Sequence, residues 1–137
     1  MEPLHDEILG TLEWDPGVEC WRANRELRPG HRIDCYFWRN ADRAFARRLF
    51  VKLQETDLDY KQAAAVEFLE LHNDTWRDVE DPVLDAEAFM NRLRLDAAGV
   101  ENNSEGRIVY DADWMFTEHN IAVFVGADLR VLYVTLE

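Results

Sequence analysis

The 137-residue chain has few cysteines, no long apolar run and none of the short motifs that mark common enzyme classes. Its two cysteines, Cys20 and Cys35, do not form a Cys-x-x-Cys pair, which argues against a dithiol redox centre. No apolar segment approaches the roughly 20 residues that a membrane-spanning helix needs. The Gly-x-Ser-x-Gly, phosphate-loop and dinucleotide fingerprints are also absent, so no motif specifies a reaction.

The first residues lack the basic and apolar segments of a secretory signal peptide. We therefore expect a cytosolic protein, in which both thiols stay reduced. Hydrophobic residues make up 47% of the chain and aromatic residues 12%, including five Trp and seven Phe. This composition excludes a disordered acidic tail, which would lack aromatic side chains. At this length we expect one domain over residues 1–137.

Basic side chains are scarce in the second part of the chain. Residues 1–50 carry nine acidic and eight basic side chains, whereas residues 51–137 carry nineteen and seven, and the formal net charge is −13. A surface this acidic repels nucleic acid and anionic lipid and attracts cationic molecules. We therefore expect a basic protein as the partner, and neither a nucleic acid nor a membrane.

Periodicity and turn residues predict an α+β fold, with antiparallel strands at both ends of the chain and two or three central helices in a single domain. The predicted strands cover residues 8–14, 18–27, 32–38, 95–100, 107–110, 121–125 and 129–136. The predicted helices cover residues 41–55, the segment after Thr56, and a short stretch after Asp85. The last two strands are apolar on both faces, which predicts central strands covered on each side. Residues 102–106 carry a strong turn signal.

The register of the hairpin around Pro29 and Gly30 determines on which face of the hairpin each cysteine lies. A three-residue loop places Leu27 opposite Ile33, and successive side chains then alternate between the two faces of the hairpin. In this register Cys20 and Cys35 fall on opposite faces, so they cannot approach closely enough for a disulfide bond. We therefore expect two free thiols.

The densest group of potential ligands lies between residues 111 and 119. If Asp111 and Asp113 lie on a strand, they point to the same side, and Glu118 and His119 could return from the next strand. Carboxylate and imidazole ligands would suit manganese, iron or zinc. The simpler interpretation is an acidic loop with solvated carboxylates, so we predict no bound metal and no other cofactor.

Two acidic segments are the predicted binding surface. One is the polar connector at residues 74–87, and the other is the loop at residues 111–119. Trp114 and Trp38 are the tryptophans expected to be partly exposed, whereas Trp76 is expected to cover one end of the core. The predicted partner-binding residues are Asp78, Glu80, Asp81, Asp111, Asp113, Trp114, Glu118 and His119.

Three segments in the second part of the chain carry a family resemblance. Residues 69–76 are similar to a hydrophobic-x-Leu-x-Asn-x-x-Trp helix end, and residues 89–95 to a Phe-x-x-Arg-Leu-x-Leu segment. Residues 110–119 are similar to an aromatic Asp-x-Asp-x-Phe-x-x-His segment, with Glu118 in place of the usual Gly before the His. All three resemble the uncharacterised bacterial domain-of-unknown-function family 2262. The resemblance implies an α+β domain without an established activity. Some small acidic bacterial families of this kind accompany toxins as immunity proteins, which is an analogy.

The leading interpretation is an acidic cytosolic protein-binding domain, without enzymatic activity, that engages a basic partner as an immunity protein would. One alternative is a small metal-dependent enzyme that uses Asp111, Asp113, Glu118 and His119. Another is a housekeeping domain whose acidity serves solubility and which has no charge-specific partner. A concave pocket with shifted ionisable groups would favour the enzyme, and an acidic surface with an aromatic anchor would favour the binding domain.

Overall fold

The computed structural model describes residues 1–102 and 104–137. The strands of the described residues are β1 (Leu4–Asp6), β2 (Gly10–Asp15), β3 (Cys20–Arg28), β4 (His31–Trp38), β5 (Arg94–Val100), β6 (Gly106–Asp111), β7 (Met115–Glu118), β8 (Ile121–Val125) and β9 (Val131–Leu136). Their helices are α1 (Arg43–Glu55), α2 (Leu58–Leu71), α3 (Ala86–Asn91) and a single π-helical turn, His72–Trp76. Asn103, within the turn predicted at 102–106, lies outside the described residues.

Eight of the nine strands in the described residues form one mixed sheet in the order β1-β2-β3-β4-β5-β6-β8-β9. Neighbouring strands are antiparallel except β4 and β5, which pair in parallel from Asp34 opposite Ala97 to Phe37 opposite Val100. The predicted α+β arrangement, with separate antiparallel strands at the two ends and central helices, is therefore wrong. Turn residues reveal pairing between consecutive strands, but the parallel pair joins distant segments and leaves no local signal.

The helices lie against one face of the sheet, where they share a core with the strands. Ile33, Cys35 and Phe37 of β4 point into this core together with Ala98 and Val100 of β5. We call the opposite side of the sheet the open face. Side chains or Cα positions on the open face of neighbouring strands include Tyr36, Gly99, Arg107, Phe124 and Tyr133.

Capping explains where two of the helices begin. The Asp42 side chain accepts a hydrogen bond from the backbone N–H of Ala44, so α1 begins two residues after the predicted start. The Asp85 side chain accepts one from the N–H of Ala88, which confirms the short helix predicted after Asp85. On α1, buried Phe45, Leu49 and Leu53 recur at the four-residue spacing of one helix face.

The hairpin of β3 and β4 has a register different from the predicted one. Ala23 lies opposite Cys35, and the ladder shifts between Glu26 and Arg28, where a bulge adds one residue. The extra residue compensates for a two-residue turn in place of the predicted three-residue loop. The assignment of side chains to the two faces was therefore right although the register was wrong.

Both cysteines are free, as predicted, and both are buried. Cys20 shares the open face with Trp38, whereas Cys35 points into the core beside Ala23. Burial raises the pKa of the Cys35 thiol to about 12, and burial also raises that of Cys20. Since the thiolate is the reactive form, neither residue is poised for redox or nucleophilic chemistry.

A tyrosine packs directly over a glycine where β4 and β5 meet. Tyr36 lies opposite Gly99, and a Cβ atom added to Gly99 would be 2.3 Å from the tyrosine ring. Gly99 is therefore required by the close approach of the ring rather than by a turn.

The last two strands differ in position, contrary to the prediction that both are central. β8 lies between β6 and β9, whereas β9 is the last strand of the sheet. Three successive apolar side chains of β9, those of Val131, Leu132 and Tyr133, are exposed. An apolar pattern on both faces therefore did not distinguish a covered strand from an apolar strand at the edge.

One buried carboxylate ties β1 to α1. The Asp6 side chain has no exposed surface, and its Oδ2 accepts hydrogen bonds from Nε of Arg43 at 2.8 Å and of Arg47 at 2.7 Å. Its Oδ1 accepts the backbone N–H groups of Ile8 and Leu9. Burial by itself raises the pKa of Asp6, but these four hydrogen bonds outweigh it and hold that pKa well below its ordinary 3.8.

Replacing this carboxylate tests its contribution to stability. We expect Asp6→Asn to lower the free energy of unfolding at neutral pH by about 2 kcal/mol, because charge-assisted hydrogen bonds are lost. The pKa of Asp6 is lower in the folded than in the unfolded state, so its ionised carboxylate stabilises the folded protein above pH 3.8. This stabilisation is lost as the pH falls below that value. The difference in the free energy of urea unfolding between parent and variant should therefore shrink in acid.

Asp15→Asn, at an exposed turn carboxylate, is the matched control and should change the stability little. Equal effects of the two substitutions would contradict the assignment.

Candidate functional site

The loop at residues 111–119 begins as a clamped turn at the end of β6. Oδ1 of Asp111 accepts the backbone N–H of Asp113 at 2.8 Å. Arg92, which follows α3, donates from Nε to Oδ2 of Asp113 at 3.0 Å and from Nη2 to its carbonyl oxygen at 2.7 Å. The two predicted acids therefore fix the turn to the end of α3.

The turn holds an exposed tryptophan in an uncommon backbone conformation. Asp113 and Trp114 have φ angles of 49° and 62°, in the left-handed region that non-glycine residues rarely occupy. The backbone N–H of Met115 donates to the carbonyl oxygen of Ala112 at 2.9 Å, so the two residues between them are the centre of a tight turn. A positive φ costs free energy for a residue such as Trp, and the contacts of Arg92 with Asp113 help to hold the turn in place. The Trp114 side chain is 77% exposed at the tip of this turn. Trp114 therefore combines an unfavourable backbone conformation with a large aromatic ring exposed to solvent.

Glu118 and His119 lie at the other end of the loop, where both are exposed. The His119 ring packs edge-on against Trp76, with 6.1 Å between ring centroids. Across residues 1–102 and 104–137, no three His, Cys, Asp or Glu side chains form a group that could hold a metal ion. The four predicted ligands are therefore not brought together.

An aromatic cluster supports the loop from below. Its centre is the fully buried Phe116, and its ring meets four others edge-on at centroid distances of 5.7–6.3 Å. The four surrounding residues are Phe68, His72, Trp76 and Phe89. His72 and Trp76 come from the π-helical turn, a rare backbone form that often marks a special local requirement. All three segments that carry the family resemblance therefore meet at Phe116.

The acidic connector is held at both ends. Asn73 accepts the backbone N–H of Leu84 at 3.0 Å and donates to its carbonyl oxygen at 2.8 Å, while Arg77 donates to the carbonyl oxygen of Asp81 at 2.6 Å. Between these clamps Asp78, Glu80 and Asp81 are exposed. Because Trp76 contacts both Phe116 and His119, the connector starts beside the loop.

The structure thus places all eight predicted partner-binding residues at the surface, in two segments that meet at Trp76. We call this set the acidic corner. Its members are Asp78, Glu80, Asp81, Asp111, Asp113, Trp114, Glu118 and His119. Near it, burial and then the carboxylate of Asp111 raise the pKa of Asp96.

A polar cluster on the open face was missed by the sequence analysis. Arg107 forms an ion pair with Glu137 and donates from Nη1 to the Tyr36 hydroxyl at 3.3 Å. Burial raises the pKa of Tyr36, although Arg107 opposes this effect. Arg107 and Glu137 belong to the antiparallel part of the sheet, and the parallel pairing of β4 with β5 brings Tyr36 to them. The one signal in the sequence was Gly99 within a strand, which indicates close approach of another group.

Two of the depressions on the described surface lie away from the acidic corner. An apolar groove of about 540 Å³ runs between α2 and α3. Its lining includes Ala65, Val66, Leu69, Ala86 and Met90. A polar depression of about 500 Å³ lies at the β2 and β3 end of the sheet, and half of its lining residues are charged. The linings of these two depressions include no member of the acidic corner.

Within the described residues, no helix combines the length and the apolar character needed to cross a membrane.

Comparison with known proteins supports the family resemblance. The model of a family of uncharacterised proteins conserved in bacteria, domain-of-unknown-function family 2262, matches residues 6–132. The chain belongs to this family, which confirms the resemblance. Comparisons with curated proteins and with solved structures gave no match.

Two tryptophans allow a matched test of whether Trp76 supports the loop at residues 111–119. We expect Trp76→Ala to lower the free energy of unfolding by about 3 kcal/mol, the low end for aromatic truncation, because the ring is only partly buried. Trp114→Ala removes an exposed ring and should change stability by less than about 0.5 kcal/mol. Denaturant unfolding of both variants measures this difference. Equal stability of the two variants would show that Trp76 does not support the loop.

Proposed function

We propose that this family member is an acidic, cytosolic protein-binding domain that engages a basic partner protein through the acidic corner. The observation that carries the proposal is Trp114, a large aromatic side chain presented to solvent by a strained and clamped turn. Tryptophan is among the residues most often found at the energetic centre of protein interfaces. An exposed tryptophan also costs solubility, so its presentation needs a reason.

The rigidity of the turn favours binding. The Arg92 clamp on Asp113 fixes the backbone on which Trp114 stands. A side chain that is already positioned loses less conformational entropy when a partner covers it. Phe116 and the rings around it support the same loop from the core side, which limits its motion further.

The charge of the surroundings favours a cationic partner. Five carboxylates of the acidic corner are solvent-exposed at positions 78, 80, 81, 111 and 118, and Arg92 pairs with a sixth at Asp113. Such a field speeds encounter with a cationic protein by about 10- to 1,000-fold at low ionic strength. The same field disfavours nucleic acids, whose phosphates bind Lys and Arg.

An immunity-like role, with a basic toxin as the partner, is one form of this proposal and rests on analogy. The metal-dependent enzyme alternative requires ligands that converge, and Asp111, Asp113, Glu118 and His119 do not form such a set. A housekeeping domain without a charge-specific partner would need neither the exposed ring nor its clamp. The binding domain therefore accounts for more of the observed geometry than either alternative.

The first test concerns the anchor. A partner is captured from the native bacterial host, identified and purified, and its binding is measured by surface plasmon resonance. We expect Trp114→Ala to weaken binding about 30-fold or more, mainly through faster dissociation, as truncation of an interface anchor of 2 kcal/mol does. Trp38→Ala is the matched control, because Trp38 is 43% exposed and lies on the open face. If both variants bind like the parent, the acidic corner is not the interface.

The second test concerns electrostatic steering. The variant Asp78→Asn, Glu80→Gln, Asp81→Asn should associate more slowly than the parent at low salt, and the difference should fade as salt screens the charges. Three exposed acids of the less acidic N-terminal part provide a control with the same change in charge. This control variant is Glu2→Gln, Glu7→Gln, Glu13→Gln. Equal association rates for the two triple variants would show that the connector does not steer the partner.

A further inference from the structure

The outer edge of β9 carries unpaired backbone groups. Asn120 and Glu137 exchange two backbone hydrogen bonds, of 3.0 and 2.8 Å, across the β8 and β9 pair. In an antiparallel ladder such hydrogen-bonded positions alternate with positions that point away. Tyr133 and Thr135 therefore direct their backbone groups toward β8, whereas Val134 and Leu136 direct theirs outward from the sheet. In the described part of the chain, β9 is the last strand of the sheet and no strand pairs with this edge.

The side chains of β9 do not protect this edge. Natural edge strands are usually short, charged, interrupted by proline or covered, because an open edge pairs with other chains. β9 has six residues without a charge or a proline, and Leu132 is 52% exposed. The strand at the opposite edge, β1, has only three residues and carries Asp6 and His5. The two edges of the same sheet thus differ in the way expected if β9 has a partner.

We propose that β9 pairs with β9 of a second copy of this chain, antiparallel about a two-fold axis at Val134, so that the two sheets join into one. The proposal is independent of the basic partner described above. It uses the backbone of the sheet edge rather than the acidic corner.

The pairing is self-complementary at this axis. Val134 of one copy faces Val134 of the other, and their outward N–H and C=O groups form a hydrogen-bonded pair. The same register places Leu132 opposite Leu136 and Tyr133 opposite Thr135, so no charged side chains oppose each other within the strand. Arg130 precedes the strand and Glu137 follows it, and each lies beside an opposite charge of its own chain, Asp128 for Arg130 and Arg107 for Glu137. The ends of the strand pair therefore add no strong like-charge repulsion. An isologous two-fold contact of this kind closes on itself and does not propagate into a fibre.

The net charge of −13 on each copy opposes association. Screening by salt weakens this repulsion, and exposed ion pairs at the strand ends contribute little at any ionic strength. The dimer should therefore become tighter as salt is added. Binding to a basic partner should become weaker under the same conditions, so the two proposals can fail separately.

Sedimentation equilibrium of the full chain provides the first test. We expect a mass approaching twice the 16.1 kDa of one chain at high protein concentration, with a larger dimer fraction at higher salt. Leu132→Lys adds a charge to the exposed edge and should give a monomer. Val66→Lys makes the same change at a side chain 88% exposed on α2, and it should leave the dimer intact.

A cysteine at the two-fold axis provides the second test. Residues that face each other in a hydrogen-bonded antiparallel pair have Cα atoms about 5.5 Å apart, within the range of a disulfide bond. We expect Val134→Cys to form a covalent dimer on mild oxidation, as seen by non-reducing electrophoresis. Val66→Cys should not, and the native thiols are both buried.

Four results of these two tests would overturn the proposed dimer or move its interface. A monomer at every salt and protein concentration overturns it, and so does a dimer that survives Leu132→Lys. A dimer broken by Val66→Lys alone would place the interface on α2 instead. Loss of the dimer in Leu132→Lys without a covalent Val134→Cys dimer overturns the two-fold axis at Val134.

Discussion

The parallel pairing of β4 with β5 is the constraint on which the rest of the molecule depends. Strands that run in the same direction side by side need a connection that crosses from one end of the sheet to the other. In this chain the crossover contains α1, α2, α3 and the acidic connector. The helices of the crossover pack on one face and build the core there, and the described residues place no helix in the core of the opposite face.

The same crossover places the site. The π-helical turn ends α2, and the connector follows it, so Trp76 arrives beside the loop that leaves β6. Residues of the segments that carry the family resemblance occupy two kinds of position. The half-buried Asn73 and Trp76 and the buried Phe116 hold segments together, whereas Trp114 is exposed. The supporting positions limit the motion of the loop, and the exposed ring is the basis of the proposed binding role.

Features encoded by neighbouring residues were predictable from the sequence. The short helix after Asp85 was predicted, and the opposite faces of Cys20 and Cys35 followed from pleat alternation. The β3 and β4 register was missed because a bulge near Leu27 is invisible in the apolar pattern. The acidic corner was partly predictable, because its charges lie in two short segments.

Features that depend on distant pairing were not predictable in this way. The parallel contact joins residues sixty-three positions apart, from Asp34 to Ala97, and no local pattern encodes it. The position of β9 at the edge was missed for a related reason, since an apolar strand has the same sequence whether or not a neighbour covers it. The cluster of Arg107, Tyr36 and Glu137 depends on this distant pairing as well.

The contact between Tyr36 and Gly99 fixes the register of β4 against β5. A hairpin turn fixes the register of two antiparallel strands, but a parallel pair joined by a long crossover has no such turn. A slip of β5 by two residues would bring Ala97 or Glu101 opposite Tyr36, and either side chain would occupy the space where the ring now lies. A slip by one residue would turn the core side chains outward. The missing side chain at position 99 therefore selects one alignment of the two halves of the sheet.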